Sequence, residues 1–434
     1  MSQWLTITTV YGVPALGLML FYVSLQRRKS KAAERIYREA TVSGLLEPAS
    51  LHPVIDPTRC LGCGTCVKAC PEKSVLGIIE NRAQLISPSS CIGHGACKAA
   101  CPTQAIELVF GTATRGVDIP QVGPDFQTNI PGIYIAGELG GMGLIRNAIE
   151  QGRQALDAIS QNGRGGQGDQ LDVLIVGAGP AGISAAMAAK EKNLRYQLLE
   201  QDTVGGTIAH YPRGKIVMTA PATLPIVGEF QFGETSKENL MSFWSEVVAK
   251  TQLNISTGAK VEAIAKTDTG FEVRADGQYR ASNVLLAIGR RGSPRKLGIP
   301  GEDCSKVIYR LEDAQEYRGK NVAVVGGGDS ALEAALSLAE QPGTDVLLTY
   351  RGEAFNRVKN KNRERINEAV AAGRLHLALA SQLRRITPST IELETAGGVV
   401  ELDNDAVIIC AGGVLPTAFL RSIGIEVETR FGTA

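Results

Sequence analysis

Cysteine is the residue type whose spacing indicates chemistry most directly in this 434-residue sequence. Seven of the nine cysteines fall in two runs that each end in Cys-Pro, and the second run has a histidine where its second cysteine would stand. Three thiolates spaced two residues apart on a tight loop can reach three irons of one cubane, so the runs predict two iron–sulfur clusters. The predicted ligands are Cys60, Cys63, Cys66, Cys70, Cys91, His94, Cys97 and Cys101.

The loops that carry these cysteines also contain glycines, which let the backbone wrap a cluster with its N–H groups toward the sulfides. These glycines are Gly62, Gly64, Gly93 and Gly95. A zinc site is one alternative, but zinc sites usually pair two short Cys motifs and do not repeat a Cys-x3-Cys-Pro ending. Disulfides are another, and they require an oxidising compartment, which the membrane topology given below argues against.

Residues 171–182 have the pattern of a dinucleotide-binding turn. An apolar strand leads into Gly-x-Gly-x-x-Gly, a helix of small residues follows, and the next strand ends at Glu200. The glycines allow a tight turn and the approach of a pyrophosphate to the helix N-terminus, and the acid accepts a hydrogen bond from ribose hydroxyls. The predicted contacts are Gly177, Gly179, Pro180, Ala181, Gly182 and Glu200.

A second unit of the same kind lies at residues 321–333. Its predicted nucleotide contacts are Gly326, Gly328, Asp329, Ser330 and Ala331. The strand after its helix ends in Tyr350-Arg351, with Arg357 six residues on and no acid at the strand end. An acid there would hold a free 2′-hydroxyl, whereas arginines suit a 2′-phosphate, so NADPH is favoured over NADH. The alternative is that both arginines are solvated surface charges.

Residues 56–109 resemble the bacterial two-cluster ferredoxins, because the first cysteine run matches their pattern residue for residue and the second keeps its frame. In that family the fourth cysteine of each run ligates the other cluster. The resemblance implies one 4Fe–4S cluster with the ligands Cys60, Cys63, Cys66 and Cys101. It implies a second cluster with the ligands Cys91, Cys97 and Cys70, to which His94 is a candidate addition.

His94 has three interpretations. Its imidazole could ligate iron in place of a thiolate, which leaves the cluster less negative and raises its potential. The site could instead keep three cysteines and hold a 3Fe–4S cluster. The third interpretation is a polar surface residue in a degenerate module, which the retained cysteines and Pro102 disfavour. We expect histidine ligation, with the 3Fe–4S cluster as the main alternative.

Residues 110–434 resemble the thioredoxin-reductase-like pyridine nucleotide flavoproteins, and residues 205–244 are most similar to the bacilliredoxin reductase branch. The motifs that carry this resemblance are the two glycine turns, Ala287-Ile-Gly289-Arg290, Leu297-Gly-Ile-Pro-Gly-Glu302 and Cys410-Ala-Gly-Gly-Val-Leu-Pro416-Thr417. The resemblance implies FAD at the first turn and NADPH at the second. It adds Gly206, Thr207, Gly137 and Glu138 to the predicted flavin contacts. No catalytic side chain is expected, since the flavin carries the chemistry.

The chain departs from that family in its thiols. The family's thioredoxin reductases carry Cys-x-x-Cys just before the second turn, where this chain has residues 306–313 without cysteine. Cys304 and Cys410 are far apart in sequence and are expected to be small buried residues. His210 and Tyr211 follow the flavin-side loop and could line the ring or a substrate pocket, although plain packing is the more common role.

The order of segments is the second departure. The family ends with a segment whose acid binds the ribityl chain of the flavin. Here the corresponding stretch, Thr128 to Glu138, precedes the first glycine turn, and a helix over residues 145–160 follows it. A Gly/Gln-rich linker at residues 161–170 is placed to join the family's usual termini. The flavoprotein is therefore predicted to be circularly permuted.

The N-terminal residues 1–26 carry no charged side chain and are mostly apolar, about the length of a membrane-spanning helix. Arg27, Arg28, Lys29 and Lys31 follow, so the positive-inside rule predicts a single-pass anchor in the cytoplasmic membrane with the remaining domains in the cytoplasm. Residues 31–47 could form an amphipathic helix beside the membrane or a solvated spacer.

These features predict an α/β protein. It has two Rossmann-like, three-layer ββα nucleotide-binding domains, a small α+β two-cluster ferredoxin domain and one N-terminal transmembrane helix. The net charge of +1 gives no indication of nucleic-acid binding. The predicted segments are an anchor at 1–26, a linker at 27–55, the ferredoxin at 56–109, the permuted FAD-domain segment at 110–160, a linker at 161–170, the FAD domain at 171–300, the NAD(P) domain at 301–403 and a return to the FAD domain at 404–434.

The predicted function is electron transfer between NADPH and a membrane-associated or protein electron carrier, through FAD and two iron–sulfur clusters. A disulfide or persulfide reductase acting with an external thiol partner or Cys304 is the second hypothesis. An electron-transfer subunit of a larger membrane complex is the third, and the intact second glycine turn argues against it. We also expect a homo-oligomer.

Overall fold

The computed structural model of the protein describes residues 11, 13–42, 48, 51–72, 74–91, 93, 95–112, 116–140, 144–162, 165–218, 221–231, 234–355 and 358–432. The described chain forms two compact units. One is built mainly from residues that precede Val117, and the other from Val117–Phe355 and Asn360–Arg430.

The first unit repeats a small α+β pattern around the two cysteine runs. Its elements are α1 (Val13–Val42), β1 (His52–Ile55), α2 (Thr65–Ala69), β2 (Leu76–Ile79), β3 (Arg82–Leu85), α3 (Ala96–Ala99) and β4 (Ile106–Val109). The outer strands β1 and β4 pair antiparallel, and β2 and β3 form an antiparallel hairpin. Each short helix begins directly after a left-handed glycine, Gly64 or Gly95, so both runs present their cysteines on equivalent loop-helix turns.

The N-terminal helix α1 packs its second half on the hairpin. Ala33 and Ile36 join a small apolar cluster with Ile79 and Ile86. A Cβ on Gly77 of β2 would lie 2.7 Å from the Ala33 Cβ, so only glycine allows this approach. The cluster holds α1 against the hairpin, and the small side chain of Ala33 allows this close contact.

The transmembrane anchor predicted at residues 1–26 is not supported. In the part of the chain that the structure describes, we find no helix with the length and apolar character that crossing a bilayer requires. Residues 1–10 and 12 lie outside the described residues.

The second unit is larger and contains most of the strands. They are β5 (Val117–Pro120), β6 (Ile133–Ile135), β7 (Leu171–Val176), β8 (Tyr196–Glu200), β9 (Ile216–Met218), β10 (Ala222–Leu224), β11 (Gly228–Phe230), β12 (Glu234–Ser236), β13 (Ile255–Thr257), β14 (Ala263–Thr267), β15 (Gly270–Arg274), β16 (Gln278–Leu286), β17 (Ser293–Pro294), β18 (Val307–Ile308), β19 (Asn321–Val325), β20 (Asp345–Thr349), β21 (His376–Ala378), β22 (Gln382–Ile386), β23 (Thr390–Thr395), β24 (Gly398–Asp403), β25 (Ala406–Ile409), β26 (Gly413–Val414) and β27 (Val427–Arg430). Its α-helices are α4 (Ile145–Gln161), α5 (Pro180–Glu191), α6 (Lys237–Thr251), α7 (Asp329–Ala339), α8 (Asn360–Ala371) and α9 (Thr417–Ser422).

A seven-stranded sheet carries the first glycine turn. Its order is β13-β8-β7-β16-β15-β14, and β6 also pairs with β16. The strands β13, β8, β7, β16 and β6 are parallel, and the hairpins β14–β15 and β15–β16 are antiparallel. Residues 173–176 of β7 are buried, as their continuous Val/Leu/Ile run indicates for a central parallel strand.

The segment that precedes the first glycine turn in sequence lies in the same sheet. Strand β6 pairs parallel with β16, through Val284 with Ile133 and Leu286 with Ile135. Helix α4 packs on α5, where a Cβ on Gly152 would lie only 2.1 Å from the Ala181 carbonyl oxygen. The two helices share one hydrophobic core with strands β6 and β7. This core contains Tyr134, Leu156 and Ile175.

A second, five-stranded parallel sheet carries the second glycine turn. Its order is β18-β25-β19-β20-β21, so β25, late in the sequence, lies between β18 and β19. An antiparallel three-stranded sheet, β22-β23-β24, packs on it through Leu383, Ile391 and Leu393. The chain end returns to the first nucleotide-binding half through the antiparallel pair β5–β27.

Candidate functional site

Four cysteines line one cavity in the first unit. They are Cys60, Cys63, Cys66 and Cys101. Three of them come from the first run and the fourth from the second run. The remaining wall is mostly apolar, from Ile55, Leu61, Ala83 and Ile106 among others. Four thiols on one mostly apolar cavity fit an iron–sulfur cluster, and the ligand assignment itself stays a prediction.

The second cavity has a different set of donors. It is lined by Cys70 from the first run and by Cys91 and Cys97 from the second. Glu72 is the acidic residue in its wall. His94 lies outside the described residues, so its predicted role stays a prediction. These cysteines fit a cluster with three protein thiolates and leave a fourth ligand to be identified.

At two positions around the cavities only glycine fits, because the backbone of another segment comes very close. Gly62 has φ +66°, and a Cβ there would lie 2.0 Å from the Asn81 carbonyl oxygen. Gly93, its counterpart in the second run, has φ +76°, and a Cβ would lie 2.7 Å from the Leu51 carbonyl oxygen. The paired positions show that both cysteine loops follow the same path.

The thiols of the first cavity are unequal. The Thr65 hydroxyl, 3.3 Å from Cys63 Sγ, lowers the pKa of the exposed Cys63. Burial raises the pKa of Cys66 to about 11. Burial also acts to raise the pKa of Cys101, but hydrogen bonds from Thr103 and from the Ala105 backbone N–H outweigh it and lower that pKa. The exposed edge of this cavity therefore favours thiolate.

Burial dominates in the second cavity. It raises the pKa values of Cys70, Cys91 and Cys97. The negative charge of Glu72 adds to the rise at Cys70 and Cys91. Among the described residues, no three His, Cys, Asp or Glu side chains are grouped as a single-ion site. The two cavities differ in donor set and in solvation.

The first glycine turn forms a cradle of close backbone contacts. A Cβ on Gly177 would lie 2.6 Å from the Ala287 carbonyl oxygen, and one on Gly182 would lie 1.8 Å from the Gly177 oxygen. Gly206 approaches the Cα of Gly179, where an added Cβ would be at 2.9 Å. Pro180 begins α5, with Ala181 beside it in the first turn. The loop and the Gly206 turn thus face each other with no side chain between them, which fits a bound pyrophosphate.

Glu200 stands at the end of β8 and is buried. Its two carboxylate oxygens accept hydrogen bonds from the backbone N–H groups of Ala178 at 2.7 Å and Asp202 at 2.9 Å. Each oxygen retains a further lone pair for a ribose hydroxyl. The acid therefore also positions the glycine loop, a role that the sequence pattern alone does not indicate.

The remaining predicted flavin contacts lie at the carboxyl ends of neighbouring strands. Gly137 follows β6 with φ +83°, and its N–H donates to Gln151 Oε1 at 2.9 Å. Glu138 is exposed at the start of a short 3-10 turn. Thr207 is half-buried in the 3-10 turn Gly206–His210. Parallel β6, β7 and β8 bring these residues to one edge of the sheet.

The second glycine turn connects β19 to α7. A Cβ on Gly326 would lie 2.4 Å from the Cys410 carbonyl oxygen, and Gly328 is the N-cap of α7. Asp329 and Ser330 occupy the first turn, and Ala331 is buried. Asp329 Oδ1 accepts a hydrogen bond from Asn362 at 2.7 Å. The buried Asn362 is a supporting residue that the local sequence pattern does not reveal.

The strand end after the second turn contains an aromatic wall. Arg351 is exposed two residues beyond the end of β20, whereas Arg357 lies outside the described residues. Tyr350 stacks on Phe355 with ring centroids 5.6 Å apart, and its ring is the nearest group to Gly327. Tyr350 was not among the predicted contacts. The sequence feature that could have identified Tyr350 is its position directly before Arg351 at the strand end.

Cys304 and Cys410 are both half-buried free thiols. They flank the parallel pair β18–β25, in which Val307 is aligned with Val407.

Comparison with known proteins assigns both parts of the chain. Residues 174–432 match the family model described as pyridine nucleotide-disulphide oxidoreductase, and residues 52–102 match that described as 4Fe-4S dicluster domain. The chain is 26% identical to bacilliredoxin reductase Bdr of Bacillus subtilis (strain 168), over 61% of this chain and 83% of the relative. It is 30% identical to a ferredoxin–NADP reductase of Ignicoccus hospitalis, over 59% and 82%.

A solved structure supports the fold. The bacillithiol disulfide reductase Bdr of Staphylococcus aureus superposes with a TM-score of 0.52 at 23% identity, over 61% of this chain and 85% of that chain. The fold is thus a mixed α/β flavoprotein fold like that of thioredoxin reductase, joined to a ferredoxin-like domain. The chain is an FAD-dependent NAD(P)H oxidoreductase with a 4Fe-4S dicluster domain, and it belongs to the pyridine nucleotide-disulphide oxidoreductase family.

Proposed function

We propose that this enzyme passes electrons between NADPH and a protein electron carrier, through FAD and two iron–sulfur clusters. The observation that carries the proposal is the pair of cysteine-lined cavities in a chain that also contains two glycine turns. Relatives named ferredoxin–NADP reductase share the flavoprotein part. In this chain a dicluster domain is covalently attached, which supports an internal route for single electrons.

The chain's own residues would bind and orient the cofactors. Gly177, Gly179 and Gly182 hold a pyrophosphate at the start of α5, and Glu200 receives the ribose. Gly137, Glu138, Gly206 and Thr207 supply the remaining flavin contacts. Bound FAD would accept a hydride from the nicotinamide and release electrons singly to the clusters, which is the cofactors' own chemistry.

The clusters are proposed to be unequal. Cys60, Cys63, Cys66 and Cys101 would hold a 4Fe–4S cluster. Cys70, Cys91 and Cys97 would hold the second, with His94 as fourth ligand or with a 3Fe–4S cluster as the alternative. The three-cysteine lining of the second cavity supports this difference.

NADPH is proposed as the preferred nucleotide. Gly326, Gly328, Asp329, Ser330 and Ala331 would hold its pyrophosphate and ribose. Arg351, exposed beyond β20, would face the 2′-phosphate, and Arg357 is the second candidate. A guanidinium pairs well with phosphate, whereas an acid is absent from this strand end.

The flavoprotein is proposed to be a circular permutant. The parallel pairing of β6 with β16 and the packing of α4 on α5 support the assignment of residues 110–160 to the FAD domain with residues 171–300 and 404–434. Residues 301–403 would be the NAD(P) domain, and residues 161–170 the linker. A homo-oligomer is part of the same proposal.

A disulfide or persulfide reductase is the second candidate, because the relatives include a bacilliredoxin reductase. It would need an external thiol partner or Cys304 near the flavin, since residues 306–313 contain no cysteine. A subunit with a vestigial nicotinamide site is less well supported, because the close contacts of Gly326 are those of an intact turn.

Anaerobic stopped-flow with NADPH tests the proposal. We expect flavin bleaching first and cluster bleaching second in the wild-type protein. A Cys63→Ser variant should keep the first phase and lose part of the second. If the wild-type flavin stays oxidised, the proposal is wrong. If the flavin is reduced while the clusters stay oxidised, the disulfide reductase becomes the better candidate.

A further inference from the structure

Tyr350 in the second nucleotide-binding sheet occupies the position that Glu200 occupies in the first. Glu200 directly follows the β8 residue that is aligned with the last residue of β7, and Tyr350 directly follows the β20 residue aligned with the last residue of β19. In both sheets the first glycine of the turn donates its N–H to the residue before, to the Leu199 oxygen at 2.7 Å and the Thr349 oxygen at 3.0 Å. The two strand ends are therefore equivalent in register.

Both residues contact the second position of their glycine turn, but by different means. Glu200 accepts a hydrogen bond from the N–H of Ala178. Gly327 is the residue that corresponds to Ala178, and the Tyr350 ring lies against it. A Cβ on Gly327 would lie 2.5, 2.3 and 2.4 Å from the ring atoms Cδ2, Cε2 and Cζ. An aromatic ring thus supports the second turn where a carboxylate supports the first.

The Tyr350 ring is held in place on several sides. It stacks on the buried Phe355 with an interplanar angle of 15°. Its other edge faces Gly352, where an added Cβ would lie 2.6 Å from Cε1. The Tyr350 N–H donates to the Ala378 oxygen at 2.9 Å, and the Ser381 N–H donates to the Tyr350 oxygen at 3.1 Å. The ring is therefore a fixed support and not a mobile surface side chain.

Replacing the acid by an aromatic ring changes the charge at the strand end. A carboxylate at this position accepts a hydrogen bond from a free ribose 2′-hydroxyl, and the same negative charge repels a 2′-phosphate. The ring of Tyr350 supports the turn without bringing that charge. The next residue is the exposed Arg351, and Glu353, two residues further along, is also exposed.

We propose that Tyr350 is a specificity-determining residue of the second turn, because its ring supports the turn in place of a carboxylate and so allows a 2′-phosphate to approach Arg351. Tyr350 acts through the turn and is a positioning residue. Its effect on nucleotide preference rests on the proposed function, in which the second turn binds NADPH. The support of the turn by the ring does not rest on it.

The specificity role is tested by calorimetric titration of the flavin-loaded protein with NADP⁺ and with NAD⁺. Tyr350→Gln removes the ring without adding charge, so it should weaken binding of both nucleotides by a similar factor. Tyr350→Glu adds the carboxylate that the first turn has. Compared with Tyr350→Gln, it should lower the preference for NADP⁺ over NAD⁺ by about tenfold or more, because a like charge would then face the 2′-phosphate.

The supporting role is tested by a second pair of variants. Tyr350→Ala should weaken binding of both nucleotides by about two- to tenfold, since the aromatic packing is lost. Tyr350→Phe keeps the ring and should restore most of the affinity. In steady-state kinetics the Ala variant should raise KM for NADPH more than it lowers kcat. Tyr37→Ala, which removes an exposed ring from α1, is the control and should bind both nucleotides as the wild type does.

A double-mutant cycle tests the contact between the ring and the turn without any nucleotide. Gly327→Ala should lower the melting temperature when Tyr350 is present, because the added Cβ meets the ring at 2.3 Å. In the Tyr350→Ala background the same substitution should cost much less. Equal shifts of the melting temperature in both backgrounds would mean that the ring does not support the turn, and would overturn the proposal.

The titrations separate this proposal from the proposed function. If Tyr350→Glu and Tyr350→Gln keep the same preference for NADP⁺ as the wild type, the specificity role is overturned and the proposed NADPH preference stands. If the wild type binds NADP⁺ and NAD⁺ equally well, both the specificity role and the proposed preference are wrong.

Discussion

The backbone N–H of Ala178 donates a 2.7 Å hydrogen bond to the Glu200 carboxylate, so the acid at the end of β8 holds the glycine loop that follows β7. The other carboxylate oxygen holds the N–H of Asp202. Glu200 is buried, and a neutral amide could accept at only one of these two positions. This residue therefore connects loop stability to flavin binding.

A Glu200→Gln variant should be less stable and should bind FAD more weakly. One buried N–H would lose its acceptor, which costs about 1–3 kcal/mol. Thermal unfolding of the flavin-free protein and FAD titration measure the two effects. The exposed Glu246→Gln serves as the control. Unchanged stability together with unchanged FAD affinity would mean that the carboxylate does not hold the loop.

Two neighbouring glycines should respond differently to valine. An added Cβ on Gly179 would meet nothing closer than 3.9 Å, so Gly179→Val should fold but project into the proposed pyrophosphate position. An added Cβ on Gly182 would lie 1.8 Å from the Gly177 oxygen. The free energy of unfolding of Gly182→Val should therefore be lower by about 3 kcal/mol or more. Flavin content and melting temperature separate the cases. A Gly179→Val protein with full yellow colour would show that the first turn does not bind FAD.

Arg351 should set the nucleotide preference. Loss of a charged contact with a 2′-phosphate costs about 1.5–3 kcal/mol, so Arg351→Ala should reduce the NADPH-to-NADH ratio of kcat/KM by about tenfold or more. Most of the change should appear in KM for NADPH, with NADH little affected. Arg374→Ala is the matched surface control. Equal kcat/KM values for both nucleotides in the wild type would refute the arginine argument.

The parts of the fold that could be predicted depend on local patterns. The strand, glycine turn and helix from Leu171 to Glu191 could be predicted, because the hydrophobic pattern and the glycine spacing that specify them lie within one short segment. The pairing of β18 with β25 could not be predicted, since the two strands lie far apart in the sequence. The stacking of Tyr350 on Phe355 likewise depends on side-chain packing, which a strand-end pattern does not encode.

The cysteine reactivities of the cluster-free protein should follow solvation. Cys63 is exposed and has a lowered pKa, so it should react with iodoacetamide fastest at pH 8. Cys66 and Cys410, whose pKa values burial raises to about 11, should react slowly until the pH approaches that range. Mass spectrometry of timed samples gives the rates. In the cluster-loaded protein Cys63 should be protected, and equal labelling with and without cluster would exclude it as a ligand.

The final prediction concerns His94 and the second cavity. That cavity is lined by Cys70, Cys91 and Cys97, so a cubane there needs a ligand from elsewhere. If His94 is a ligand, neutral imidazole in place of thiolate makes the second cluster less negative and raises its potential. If the second cluster instead lacks the fourth iron, it differs from the first cluster in type.

EPR and redox titration of anaerobically purified protein test this, beside His94→Cys and His94→Ala. If His94 is a ligand, the His94→Cys variant should have a lower potential at the second cluster. The His94→Ala variant should then show a 3Fe–4S signal in place of the 4Fe–4S signal. A wild type that already shows a 3Fe–4S signal would favour three-cysteine ligation, with Cys restoring the fourth iron. Identical cluster types and midpoint potentials in all three proteins would mean that His94 is no ligand, since each substitution changes the donor at that position.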